Sequence, residues 1–246
     1  MTQLSLDTTV GEWVAQCPQT SRVFEELQVD YCCGGDKSLN QACRDRELDP
    51  RDVLSQLDAA IASGEQGTME HWNNAALARL CDHIEAAHHA YLRNELPRLT
   101  ALIAKVVAAH GDRHPELHDV QRVFAELRGE LEPHMMKEER VLFPAIRQLE
   151  QSTESLNFPF GSLNNPVTCL KHEHDAAGTA LNELRKLTAD YRLPDDACRT
   201  YQVMLDALAH LETDMHQHVH KENYILFPRA VKMEVKRNNL HRVFTK

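Results

Sequence analysis

Two stretches of eleven residues, HMMKEERVLFP (134–144) and HVHKENYILFP (218–228), decide how this chain is read. Each sets a histidine four residues before a glutamate, His134 with Glu138 and His218 with Glu222, and each ends in Leu-Phe-Pro. Four residues is just over one helical turn, so the members of each pair share a helix face. A single His-x-x-x-Glu is ordinarily a surface pair worth a few tenths of a kcal/mol. Two copies in one register, 84 residues apart, form a repeat, and a repeat says which residues belong together. Upstream of each copy lies a further matched histidine, His89 in HHAYLRNELPRLTAL and His174 in HEHDAAGTALNELRKL. These are followed in step by Leu96 and Leu181, Leu99 and Leu184, and Leu102 and Leu187. His89 precedes His134 by 45 residues and His174 precedes His218 by 44. The chain therefore reads as two helical hairpins, each with one histidine on its first helix and a His-x-x-x-Glu on its second.

The 246 residues suffice for one sizeable core and a small extra domain. A formal charge of -10 argues against a nucleic-acid footprint, which needs a basic face. No stretch approaches the roughly 18 apolar residues of a membrane span, and MTQLSLDTTVGEW lacks the basic and apolar regions of a signal peptide. Seven irregularly spaced cysteines fit reduced thiols better than a disulfide framework. The expectation is a cytoplasmic protein that binds neither nucleic acid nor membrane.

Residues 1–61 read as a small helical unit. Thr20 or Ser21 can cap a helix through VFEEL, Ser38 and Gln41 form a capping box, and Asp49-Pro50 supplies an N-cap with proline at N1. DYCCGG is the turn between two of these helices. Residues 62–70, rich in glycine and small polar side chains, read as a linker and hinge. Four long helices follow, at about 72–109, 115–150, 166–191 and 195–235, within a unit spanning 71–237. Short connections make sequential helices antiparallel, which gives an all-α chain whose bulk is an up-down-up-down four-helix bundle. Residues 238–246 are a basic tail, expected to fray.

If each helix turns its marked histidine inward, four imidazoles and two carboxylates meet in the bundle. Buried without partners they would each cost on the order of several kcal/mol; metal coordination removes that penalty. Imidazole with carboxylate suits iron, manganese or zinc, and the lack of cysteine in the repeat argues against structural zinc. The repeat predicts two metals, each held by two histidines, with Glu138 and Glu222 bridging at a separation of roughly 3.5–4 Å. Six ligands leave positions for a bridging oxygen and a small molecule. Pro144 and Pro228 each remove a backbone donor one turn past the glutamates, which predicts helix kinks. Glu130, Glu173 and Asp214 are candidates to orient the ligands or line an ion path. His83, which has no counterpart in the repeat, and His88, which points about 100° away from His89, read as surface residues or as supports for the ligands, and His172, His216 and His220 lie off the ligand face.

Together with DYCCGG, this pattern resembles the repair-of-iron-centres family, the YtfE/ScdA-type di-iron hemerythrin-like proteins, over about Thr9 to Ala230. The resemblance implies a non-haem centre of two iron ions ligated by His89, His134, Glu138, His174, His218 and Glu222. It also implies restoration of iron-sulfur clusters damaged by nitric oxide or oxidants. Where oxygen-carrying hemerythrins have a second histidine on the third helix, this sequence has Gly178, so oxygen carriage is not expected. Cys32 and Cys33, adjacent and set beside Gly34-Gly35, are candidates for thiol exchange, with side chains diverging and thiolates stabilised by turn amides or a helix N-terminus. Cys17, Cys43, Cys81, Cys169 and Cys198 read as packing residues. Iron supply to damaged iron-sulfur proteins is the leading expectation; reductive scavenging of nitric oxide is second, and a diatomic-gas sensor third. A homodimer is compatible with this reading.

Overall fold

The caps written into the sequence start most of the N-terminal helices in the computed structural model, which describes residues 4–63 and 72–244. Thr9 and Glu12 form a capping box on α1 (Val10–Gln16). Asp49 caps α4 (Pro50–Ala62), whose first residue is proline, as expected. Two details differ. Thr20 does not cap α2 (Thr20–Glu26) but lies inside it, its hydroxyl donating to Cys17 O at 2.7 Å. Ser38 caps α3 (Leu39–Asp45), yet Gln41 turns away to Asp45 rather than completing the box. The hinge assigned to 62–70 falls largely outside the described residues; 62 and 63 close α4.

Beyond this, α5 comprises Leu77–Ile84, a π turn at Glu85–His89 and Ala90–His110. Helix α6 comprises Glu116–Lys137, a π turn at Glu138–Leu142 and Phe143–Gln151. Helix α7 is Asn164–Leu187 without interruption. Helix α8 comprises Arg199–His220, a π turn at Lys221–Leu226 and Phe227–Phe244. Contacts run α5 to α6, α6 to α7, α7 to α8 and α8 back to α5, which closes a four-helix bundle. Helix α7 stops four residues short of the expected end because Ala189, Asp190 and Tyr191 adopt left-handed backbone, with φ of 48, 60 and 58°. The expected frayed tail is instead the continuation of α8 to Phe244.

The kinks expected at the two prolines are replaced by π turns just before them. Phe143 N donates to Glu138 O and Phe227 N to Glu222 O, five residues back. Such a turn shifts the hydrogen-bond ladder by one residue, and Pro144 and Pro228 then enter the resuming helix in its first turn, where a missing donor costs least.

Two apolar clusters sandwich the candidate ligands on every bundle helix. One gathers Leu92, Leu96, Leu131, Leu181 and Leu211. The other gathers Leu80, Ile84, Phe143, Leu170 and Phe227. His89, His134, Glu138, His174, His218 and Glu222 lie between them in chain order. Trp13, Phe24, Tyr31 and Leu57 of the N-terminal helices belong to the first cluster. The two parts of the chain therefore share one core, and removing residues 1–60 would strip apolar surface from the bundle as well as delete the cysteines.

Candidate metal centre

Three π turns place the ligand layer. His89 closes the turn in α5, Glu138 opens the one in α6, and Glu222 sits second in the one in α8. A π turn swings side chains that a regular helix would spread around the axis, a device that recurs at functional sites. All six expected ligands are buried, none more than 2% exposed.

Their ligand atoms converge as two overlapping quartets. His89, His218, Glu138 and Glu222 form one and His134, His174, Glu138 and Glu222 the other, with atoms in each within 4.8 Å of one another. His89 Nε2 is 3.3 Å from His218 Nε2 and 3.3 Å from Glu138 Oε2. His134 Nε2 is 3.1 Å from His174 Nε2 and 3.5 Å from Glu138 Oε2. Glu222 spans the halves, Oε1 lying 3.1 Å from His218 Nε2 and Oε2 3.2 Å from His174 Nε2.

The opposite side of each ring fixes what the inner nitrogens present. His89 Nδ1 donates to Glu139 Oε1 at 2.7 Å, His134 Nδ1 to Glu173 Oε2 at 2.8 Å, and His174 Nδ1 to Asn223 Oδ1 at 3.0 Å. A proton on Nδ1 leaves a lone pair on Nε2 in the neutral imidazole. Lone pairs and carboxylates thus face one another in a buried layer, and both Glu138 oxygens and Glu222 Oε2 lack hydrogen-bond partners. Such a layer calls for cations. Burial opposes charge on Glu222, but His218 and His174 hold it well below the ordinary carboxylate range. Burial likewise opposes charge on His174, yet Glu222 and Glu138 push it up to about 9. That pull on a proton is the pull such a donor set exerts on a metal ion. The residues fit a shared-carboxylate metal pair.

The phenylalanines of the two Leu-Phe-Pro tails supply walls. Phe143 stacks on His89 with centroids 5.8 Å apart, and Phe227 on His174 at 6.0 Å. Glu139 and Asn223 escaped the sequence reading, although the 84-residue repeat aligns them, each directly after its glutamate. Glu173 was anticipated, and it also pairs with Lys137. Glu130, expected to orient a ligand or line an ion path, is instead exposed on α6, because it faces away from the bundle interior. Asp214 contacts His88 at 2.8 Å rather than a ligand. His88 is buried and lies flat against His218, centroids 5.1 Å apart and planes 2° apart, while its Nε2 accepts from Lys221 Nζ at 2.7 Å. His218 Nδ1 is the one inner-layer Nδ1 without a partner. Replacing Glu139 or Glu173 by alanine is expected to weaken metal binding by about 10- to 100-fold, measured by competition with a chromogenic chelator. Unchanged retention in both variants would show that these contacts do not set the imidazole geometry.

The DYCCGG turn departs from expectation in three ways. Asp30 takes the turn amides, its carboxylate accepting from the N–H groups of Cys32, Cys33 and Gly34 at 2.9, 3.0 and 2.9 Å. The thiolates therefore do not receive them, and burial pushes the Cys32 thiol well above its usual pKa. The sulfurs do not diverge but lie 3.7 Å apart. Gly34 and Gly35 are not left-handed; a Cβ on Gly35 would come within 2.5 Å of Tyr224 Oη, so close packing demands that glycine. Cys33 Sγ donates to His174 O at 3.2 Å, and a Cβ on Gly178 would fall 2.8 Å from that sulfur. Gly178 is the notch that seats the cysteine loop on the ligand helix α7. Asp30, Cys32 and Cys33 bring their own ligand atoms within 4.8 Å of one another. Cys169 and Cys198, expected to pack, are exposed, whereas Cys43 and Cys81 are buried. His220, expected off the site, is buried with Nε2 donating to Gly11 O at 2.9 Å.

Residues 80–230 match the family model of the hemerythrin HHE cation binding domain, and fold and donor set together define a bundle of the hemerythrin class, whose His/Glu cluster points to non-haem iron. Residues 6–61 match the ScdA_N model, described as a domain of unknown function. Similar proteins include the iron-sulfur cluster repair protein YtfE of Escherichia coli O157:H7, 34% identical over 225 residues, which are 92% of this chain and 97% of that one. YtfE of Pectobacterium carotovorum subsp. carotovorum is 32% identical over 228 residues, 93% of this chain and 98% of its own. The chain belongs to the YtfE family of iron-sulfur cluster repair proteins. No helix among the described residues is long and apolar enough to cross a membrane.

Proposed function

We propose that this protein repairs damaged iron-sulfur clusters through a centre of two non-haem irons, held by His89 and His218 on one side, His134 and His174 on the other, and bridged by Glu138 and Glu222. The observation that carries the reading is the pair of overlapping quartets sharing both glutamates, with three carboxylate oxygens lacking any other partner. Iron bound there would supply a redox-active ion with exchangeable positions. The protein's own groups do the rest. Glu139, Glu173 and Asn223 lock three imidazoles with Nε2 inward. Phe143 and Phe227 exclude water from the ring faces. Cys32 and Cys33 sit on the carbonyl side of His174, where thiols can exchange with an incoming iron-sulfur protein once the loop leaves its notch. The functional division we assign is a cysteine-bearing unit at 1–61 and an iron-holding bundle at 71–237. None of the seven cysteines is in a disulfide, which supports a reducing, cytoplasmic setting.

The test is recovery of activity by a hydratase whose [4Fe–4S] cluster has been damaged with nitric oxide, incubated anaerobically with the iron-loaded protein. Wild type is expected to restore activity, Glu138→Ala to fail, and Cys32→Ser with Cys33→Ser to keep the iron but restore slowly or not at all. Equal recovery with Glu138→Ala would overturn the reading. Wild-type recovery by the double serine variant would remove the thiols from it.

A further inference from the structure

Basic residues in the last part of α8 that play no part in the metal centre converge on a cavity of about 560 Å3, lined by Thr153, Arg229, Lys232, Met233, Lys236 and Arg237. Four of the six are cations and none is acidic, in a chain with a formal charge of -10. Residues 229, 232, 233, 236 and 237 recur at three- and four-residue steps, so they share one helix face. Like charges at such spacing repel.

The neighbouring acids are committed elsewhere. Glu150 turns both oxygens to the start of α5, accepting from Leu77 N at 2.7 Å and Ala78 N at 2.9 Å. Glu234, on the same helix, accepts from Ser162 Oγ at 2.6 Å and Leu163 N at 3.0 Å. The two guanidiniums are instead held by main-chain carbonyls. Arg229 donates to Trp72 O at 2.8 Å and to Ala75 O, and Arg237 donates to Glu150 O at 3.4 Å. Carbonyls fix the orientation of a guanidinium without neutralising it, and Arg237 Nε is buried without a hydrogen-bond partner among the described residues. Burial opposes the charge on Arg229 while the nearby Glu150 carboxylate favours it, and burial wins, so a further anion beside that guanidinium would be stabilising. The two guanidiniums are held in place beside an open volume, with Lys232 and Lys236 exposed at its rim.

We propose that this cavity binds a compact anion carrying two or more negative charges of phosphate or carboxylate type. Arg229 and Arg237 form its floor, the two lysines close over it, and the Thr153 hydroxyl gives a neutral hydrogen bond. The volume falls in the range of small-ligand sites, roughly 300–1,000 Å3. Arg229 is seven residues past Glu222, about 10 Å along the helix, so the site shares no side chain with the metal centre. An anion there would tie α8 to Thr153 in the loop after α6, and would stabilise the folded chain by mass action.

Full-length, metal-loaded protein should be titrated calorimetrically with sodium pyrophosphate and, separately, with sodium citrate, at low ionic strength. Metal content measured before and after each titration separates cavity binding from extraction of the centre. Saturable one-to-one binding with metal retained is expected for at least one anion, and which one binds assigns the phosphate or carboxylate source. Binding should weaken roughly tenfold or more in Arg237→Gln and in the Lys232→Gln, Lys236→Gln double variant, as loss of charged hydrogen bonds implies. The lysines are exposed, so the double variant decides the matter if Arg237→Gln folds poorly. Absence of saturable binding by both anions, or binding undiminished in the double variant, overturns the site.

Discussion

Wild-type protein purified anaerobically is expected to carry about two irons per chain, and Glu138→Ala and Glu222→Ala each to lose most of both. The reason is the sharing. Each glutamate belongs to both quartets, so removing one takes a ligand from each metal position at once, whereas a histidine variant disables one position. Four buried imidazoles would then face a single carboxylate, and a bridge worth several kcal/mol would be gone from a layer less than 3% exposed. Elemental analysis of wild type and the two variants gives the answer directly. Iron near wild-type level in both variants would mean that the glutamates are not bridges, and the quartets would have to be read as a hydrogen-bonded polar layer.

The second large effect is expected from Gly178→Val. In the native chain the Cys33 sulfur occupies the space where a side chain at 178 would begin, and it donates to the carbonyl of His174 from there. A valine cannot coexist with that placement; overpacking of this kind costs about 1–3 kcal/mol. The loop should lift, exposing Cys33 and the buried Cys32. Alkylation of the two thiols should then accelerate by about tenfold or more, since labelling follows the population of the opened loop. Iron content is expected to stay near wild type, because Gly178 contributes no ligand. Alkylation at the wild-type rate would show that the loop does not depend on the notch.

Gly178 also illustrates a limit of the sequence. Its departure from the oxygen carriers could be seen in the chain, but the occupant of the vacated space is Cys33, 145 residues away. The adjacency of the two cysteines was legible in the chain. Their protonation was not legible, because Asp30 claims the amides that were expected to favour thiolate. Glu130 shows the converse error. One turn before His134 is the right height on α6, yet height does not say which way a residue faces, and Glu130 faces outward.

The four helices, their order, the six convergent residues and the separate cysteine turn followed from the sequence by itself. Each rests on a local rule: i to i+4 spacing puts two side chains on one face, short connections make neighbours antiparallel, and a duplicated pattern carries its partners with it. The tertiary structure decided which outer groups hold the imidazoles, selecting Glu173 from the three candidates the sequence offered and adding Glu139 and Asn223. Glu139 reaches His89 on α5, Glu173 reaches His134 on α6, and Asn223 reaches His174 on α7. These are contacts between helices, set by the rotation of each helix about its axis. In α5, α6 and α8 a π turn shifts that rotation, and packing of Phe143 and Phe227 against the rings accompanies it. One residue of extra winding turns a helix face by roughly 100°, which periodicity in a single segment does not record and neighbouring helices do.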